Sequence, residues 1–380
     1  MSDDFNTSRM DNNIDMLESR IIDCLDNTDF DSIFKAFQDL KEPTLFIGSG
    51  GSSVAAKFIA SIINEKNEII SEPKTPDEVW VSKITGYKKM IIVSSGGMNY
   101  GAKKAYEKGL DNGLAVITMS GSSRVTDEGN IKYTKTIKSE DSFISFAETL
   151  LPMIIALTYY IGDVEKSKKF VRSAFQLMRK NKINYPISEN YEILGKDRFP
   201  TAAAFVESAM NESGIAIPTI SGTYDELHGR TTSILQEKDR QLVYLLPVQQ
   251  TEIDEFLHER LNECGVGDRI TDVPAFYDDY ILDDFYLTLQ MISLCTSIAH
   301  EKGVDLSVMS DSNGRRHIPA NNKAIEAWEA KNPGQSFWDV CDFRGLRSLA
   351  LDLPEKSPGY YGPTGKFAEP DFGSEGRRKR

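Results

Sequence analysis

Strand-length apolar runs alternate with helix-length segments along most of this chain, and the alternation runs through twice. In the first pass, Thr44 to Gly48, Lys89 to Ser94 and Leu114 to Met119 have the length of strands. Ser52 to Asn67 and Tyr100 to Gly109 have the length of helices, a long apolar helix spans Asp141 to Tyr160, and Val164 to Asn181 is basic and amphipathic. Tyr185 to Asn190 (YPISEN) reads as a linker, after which the pattern restarts. Strands are expected at Tyr191 to Gly195, Ile217 to Ser221, Gln241 to Pro247 and Arg269 to Val273, with helices at Thr201 to Asn211, Thr251 to Glu263 and Asp283 to Lys302. Strands separated by helices and short Gly/Ser turns pair in parallel, because a parallel neighbour needs a crossover long enough to bring the chain back. The expected fold is therefore α/β, with two tandem units, each a parallel sheet flanked by helices in three α/β/α layers. A length of 380 residues agrees, since single cores rarely grow past about 250–300 residues.

This organisation divides the chain into an N-terminal helical cap (1–40, with its helix over Asp15 to Leu40), a first α/β domain (41–183), a second (190–318) and a C-terminal extension (319–380). The extension holds one more expected helix, Asn321 to Ala330. It ends in a Pro-, Gly- and Tyr-rich tail, Ser357 to Arg380, with the terminal run GRRKR.

A net charge of −13 argues against nucleic acid or an anionic membrane as the main partner, because both demand a basic face. It leaves room for a small anion in a locally positive pocket. The most apolar stretch, Leu150 to Ile161, is too short to span a bilayer, and Met1 to Asn13 is polar rather than secretory in character. Cys24, Cys264, Cys295 and Cys341 are scattered, as are His228, His258, His300 and His317, so neither a disulfide framework nor a metal-binding spacing emerges. A cytoplasmic location with no metal and no cofactor is expected.

Two loops carry the chemistry. Gly48-Ser49-Gly50-Gly51-Ser52-Ser53 follows the strand TLFI directly, and Ser94-Ser95-Gly96-Gly97, continuing to Met98 and Asn99, follows KMIIV. Ligands of parallel sheets bind at the carboxyl ends of the strands. There, glycines let the backbone approach, a helix start points amides outward and serine hydroxyls add donors, which together make an anion cradle. Taken singly, each loop is equally a tight turn. Neither is a Walker loop, and neither completes a dinucleotide fingerprint.

The pair GSGGSS and SSGGMN resembles the phosphate-binding loops of sugar isomerase (SIS) domains, as found in phosphoglucose and phosphomannose isomerases and in the isomerase domain of glucosamine-6-phosphate synthase. The resemblance continues through Leu194 to Pro200 (LGKDRFP), through Asp225-Glu226-Leu227-His228-Gly229-Arg230, and through Phe285-Tyr286 to Gln290 and Lys302-Gly303-Val304-Asp305, covering residues 44 to 310. It implies that the phosphate is held by Ser52 with Ser49 and Ser53, by Ser94 and Ser95, and by Asn99, where the family carries a threonine. Gly50, Gly51, Lys196 and Arg230 then lie against the sugar. Glu212 falls on the family's catalytic glutamate and His228 on its histidine, sixteen residues apart as in the family. Asn211 and Leu227 stand where the family has lysines. Read without the family register, Glu212 is a solvated residue near a helix end and His228 a residue near a helix start.

Isomerising a sugar phosphate needs an acid for ring opening, a carboxylate to move a proton between C2 and C1, and an anchored phosphate. Glu212, His228 and the serine loops supply one of each. Three readings follow: an aldose–ketose isomerase for a phosphorylated hexose or hexosamine, a deglycase or lyase on the same scaffold, and a sugar-phosphate sensor without turnover. The resemblance and the long apolar helices Asp141 to Tyr160 and Asp283 to Lys302 also imply a homodimer.

Overall fold

The computed structural model of the chain describes residues 7–95, 100–122, 130–135, 144–226 and 231–307. Contacts divide the chain into two compact units, Met1–Arg315 and Arg316–Arg380, and every described residue belongs to the first. The helix at Asn321 to Ala330 and the tail Ser357 to Arg380 lie outside the described residues.

Three helices open the chain, α1 (Ser8–Asp15), α2 (Leu17–Asn27) and α3 (Phe30–Gln38), in place of the single helix expected over Asp15 to Leu40. The break falls at Thr28 and Asp29, both extended, and the Asp29 carboxylate accepts from the Ser32 hydroxyl. Competition from a short polar side chain of this kind is what stops a helix and starts the next. The three helices bury Met10, Leu17, Ile21, Cys24, Phe30 and Phe37 in the main core rather than sitting over it.

The first sheet contains β1 (Thr44–Ile47), β2 (Ser71–Lys74), β3 (Lys89–Val93), β4 (Ala115–Ser120) and β5 (Ile131–Lys132), all parallel, in the order β2-β1-β3-β4-β5. Its helices are α4 (Gly51–Asn67), α5 (Pro76–Val81), α6 (Tyr100–Asp111), α7 (Phe146–Ile161) and α8 (Val164–Lys180). The second sheet contains β6 (Asn190–Leu194), β7 (Ile217–Ser221), β8 (Gln241–Leu246) and β9 (Ile270–Pro274), again parallel, in the order β7-β6-β8-β9. Its helices are α9 (Pro200–Ser213), the single turn α10 (Thr223–Asp225), α11 (Thr231–Gln236), α12 (Glu252–Glu263) and α13 (Tyr280–Glu301). Both sheets run second strand, first, third, fourth, so the duplicated pattern of the sequence is a duplicated topology.

Strand alternation sorts the apolar residues onto two faces. On one face, Phe46, Ile91, Val93, Tyr191, Ile193, Val243 and Leu245 join a single large core with α4, α7, α9 and α13. On the other, Leu45, Ile47, Met90 and Ile92 pack under α5 and α6, while Leu194, Leu242, Tyr244 and Leu246 pack under α12. The two sheets thus share one core, with α4 packed on α9 between them. α7 and α13 are buried along most of their length inside this core. Their apolar surface is thereby accounted for within one chain, so it supplies no argument for a dimer.

Elements without an apolar run were not legible in the sequence. β2 (SEPK) is polar and contains Pro73, which an edge strand tolerates because one side needs no ladder donor. β5 is two residues long. α5 did carry a signal: Thr75 and Glu78 form a capping box around Pro76.

Candidate functional site

β1 and β3 are parallel neighbours, so the loops that follow them open on the same edge of the sheet. The first loop turns into α4 within three residues. The Ser52 amide donates to the Ser49 carbonyl at 3.1 Å, and the Ser53 amide to the Gly50 carbonyl at 2.9 Å. Two of its glycines are required by close approach. A Cβ on Gly48 would lie 2.1 Å from the Ser52 carbonyl oxygen, and one on Gly51 would lie 2.1 Å from Thr149 Oγ1 of α7. Ser49 is exposed and Ser52 half-buried at the start of α4, whose amide end attracts negative charge. The Ser53 hydroxyl donates to the Gly50 carbonyl at 2.7 Å, so its proton serves the turn.

At Gly50 the first loop meets the second half of the chain. Its φ of +54° with ψ of −134° lies outside the regions open to other residues. A Cβ there would also stand 2.8 Å from Oε1 of Glu212. Glu212 is exposed in the last turn of α9, where Ser208 donates to its Oε1 at 3.3 Å and Gly214 ends the helix with φ +66°. A carboxylate in a last helical turn opposes the helix dipole, so α9 gains nothing from it there. The tertiary structure places this carboxylate against the glycine–serine loop of the other half.

The second loop is anchored rather than open at its start. Ser94 and Ser95 are both buried. The Ser94 amide donates to Met119, and its carbonyl accepts from the Ser120 hydroxyl at 2.6 Å. The Ser95 hydroxyl donates to the Glu148 carbonyl at 2.6 Å and lies 3.1 Å from the Tyr133 hydroxyl. The cause is Pro152 in α7: lacking an N–H, it leaves the carbonyl four residues earlier, that of Glu148, without its helical donor. Ser95 fills that vacancy, so its proton is committed to the helix. Asn99 lies outside the described residues, with Gly96, Gly97 and Met98.

The corresponding loop of the second half, Gly195 to Phe199 after β6, is closed by ion pairs. Gly195 has φ +99°, and a Cβ there would meet the Leu245 carbonyl oxygen at 2.9 Å. Arg198 reaches both oxygens of the buried Asp254, at 2.6 and 2.7 Å, and Tyr244 donates to the same carboxylate at 2.6 Å. Burial works to raise the Asp254 pKa, but these donors and Thr251 outweigh it and hold the carboxyl below its ordinary range. Lys196 faces Asp225 at 3.4 Å. His228 and Arg230 lie outside the described residues, immediately beyond the buried Glu226, whose Oε1 accepts from Ser221 at 2.9 Å.

Of the residues picked out in the sequence, the structure therefore brings Glu212 to Gly50 and sets Ser49, Ser52 and Ser53 around it, with the Ser94–Ser95 loop one strand away. Reading the sequence missed three residues of α7: Thr149, which abuts the first loop, Glu148, whose carbonyl meets the second, and Pro152, which leaves that carbonyl open. Their one local signal was a proline inside an apolar helix. Among the described residues, no group of three or more His, Cys, Asp or Glu side chains is placed to hold a metal ion, and no helix is long and apolar enough to cross a membrane.

No family model matches the sequence, and no curated protein does. Solved structures do match. A tagatose-6-phosphate ketose/aldose isomerase from Escherichia coli superposes with a TM-score of 0.65 at 10% identity, over 79% of this chain and 95% of that one. A glucosamine-6-phosphate deaminase from Thermotoga maritima gives 0.62 at 15% identity, over 79% and 96%. The C-terminal domain of a glucosamine-fructose-6-phosphate aminotransferase from Francisella tularensis gives 0.60 at 13%, over 79% and 98%. Identities this low speak to the fold alone. With two parallel sheets of matching strand order, each flanked by helices, the chain carries the sugar isomerase (SIS) fold in tandem.

Proposed function

We propose that the chain is a sugar-phosphate aldose–ketose isomerase, acting on a phosphorylated hexose or hexosamine through an enediol or enediolamine. The seating of the Glu212 carboxylate against Gly50 carries this reading, because it puts a base at the mouth of an anion cradle. The phosphate rests on Ser49, Ser52 and the amide end of α4, backed by the Ser94 turn. Binding energy from this remote group then orients C1 and C2. Glu212 takes the proton from C2 as the C1 carbonyl oxygen gains one, giving the enediol. The same carboxyl returns its proton to C1 while the C2 hydroxyl loses one, so protons balance over the cycle. His228 serves as the acid that opens the ring. The names of the structural relatives, which include tagatose 6-phosphate and glucosamine 6-phosphate, support the substrate class.

Incubation with hexose and hexosamine 6-phosphates in deuterated water tests the reaction: deuterium is expected at C1 or C2. Release of amine without isomerised product instead identifies a deglycase, and binding without exchange identifies a sensor. Ser52→Asp sets a carboxylate where the phosphate is proposed to rest, and calorimetric affinity for the sugar phosphate is expected to fall at least about tenfold. Unchanged affinity removes the first loop from the site.

A further inference from the structure

The serine loops hold no cation among their described residues, yet a phosphate dianion held only by hydroxyls and amides keeps most of its charge. From the geometry around α7 we infer that Lys135 supplies that cation and is a phosphate-binding residue of the site. The inference rests on the sugar-phosphate reading above and adds to it a residue outside the sequence motifs.

Three contacts converge on the first turn of α7. Thr149 abuts Gly51 of the first loop, so closely that a Cβ on Gly51 would collide with its hydroxyl. The Glu148 carbonyl accepts from Ser95 of the second loop at 2.6 Å, for want of a donor at Pro152. The Glu148 carboxylate holds the Lys135 ammonium at 2.8 Å. One residue of α7 therefore touches the second loop through its backbone and the lysine through its side chain, while the next residue touches the first loop.

The path of the lysine agrees. Its stem crosses Gly121, where a Cβ would lie 2.5 Å from Lys135 Cγ and displace it. Gly121 directly follows Ser120, the last residue of β4, whose hydroxyl donates to the Ser94 carbonyl. Lys135 thus runs across the carboxyl edge of β4 toward the loop after β3, the edge on which ligands of parallel sheets sit. Other basic side chains nearby are otherwise directed. Lys57 acts electrostatically on Asp284, and Lys196 and Arg198 pair with Asp225 and Asp254.

The Lys135 side chain keeps 23% of its surface exposed, and Glu148 is its one hydrogen-bond partner among the described residues. An ammonium has three donors, so two remain for a ligand. A partly exposed ion pair adds little to stability, whereas a pre-oriented ammonium adds a charge-assisted bond to an arriving phosphate.

Calorimetric titration of the full chain with inorganic phosphate tests the assignment. Lys135→Met is expected to weaken binding at least about tenfold, and Lys135→Arg to stay within about threefold. Glu148→Gln removes the competing carboxylate and is expected to tighten binding. Because these last two variants keep a hydrogen-bonding partner in place, they decide the matter even if Lys135→Met is poorly folded. If Lys135→Met takes phosphate like the wild type while Ser52→Asp does not, Lys135 is only a structural staple and the isomerase reading survives. Weakened binding in Glu148→Gln, with its thermal midpoint unchanged, also overturns the assignment. If the wild type takes no phosphate at all, the loop assignment fails and Lys135 fails with it.

Discussion

Glu212→Gln is expected to lose about 10²–10⁴-fold in turnover, the span a general base contributes, while sugar-phosphate affinity stays near the wild-type value. The split follows from geometry. Gln keeps the length and hydrogen-bonding reach of Glu, so it still fits against Gly50 and still accepts from Ser208. It has no basic oxygen, so it cannot take a carbon-bound proton. Loss therefore belongs in kcat rather than in KM, as for any interaction made only in the transition state. Deuterium exchange at C1 and C2 should disappear with turnover. Wild-type turnover in Glu212→Gln would end the assignment, and so would a loss confined to KM.

Asp284→Ala is expected to destabilise the fold by roughly 2–5 kcal/mol in urea denaturation, because two buried amides lose the carboxylate that accepts from them. α9 begins at Pro200, and its N-cap residue, Phe199, offers no side-chain acceptor. The cap comes instead from another helix: Asp284 of α13, itself 2% exposed, accepts from Ala202 at 2.9 Å and from Thr201 at 3.2 Å. Helix starts left without such a partner are costly when buried. Burial also pushes the Asp284 carboxyl up from 3.8 to about 6, against the Thr201 and Ala202 hydrogen bonds and the charge of Lys57, which pull it down. The folded protein consequently keeps this proton over a window in which the unfolded chain has released it. The stability this contributes is full below about pH 4 and is lost as pH rises through about 6, a fall of roughly 3 kcal/mol. Unfolding free energies measured across that window should fall less steeply in Asp284→Asn, which cannot titrate. Equal slopes would show that another group sets the dependence.

The strands and their Gly/Ser loops were legible because their signals are local. TLFI and KMIIV announce buried parallel strands by composition, and glycine at Gly48 and Gly50 announces a backbone turn that other residues resist. The repeated order of elements likewise anticipated two sheets of one topology. The edge strand β2 was hidden because a strand paired on one side needs no apolar run, and the N-terminal break at Thr28–Asp29 was hidden inside a continuous helical pattern. Glu212 entered the site list by motif register, and nothing around it in sequence says what it faces.

By itself, then, the sequence determined which apolar segments are strands, where the long helices lie and where the chain turns sharply after β1 and β3. Such patterns record contacts between residues two, three or four positions apart. Only the tertiary structure decided that both sheets share one core, that Glu212 meets Gly50, and that Ser95 turns inward to the Glu148 carbonyl. The partners in the last contact are 53 residues apart, and the Ala202–Asp284 cap spans 82. Pairings at that distance depend on how helices from both halves pack against one another, which no local periodicity encodes, because an acceptor orphaned by a proline or at a helix start is met by whichever donor or carboxylate the packing brings to it.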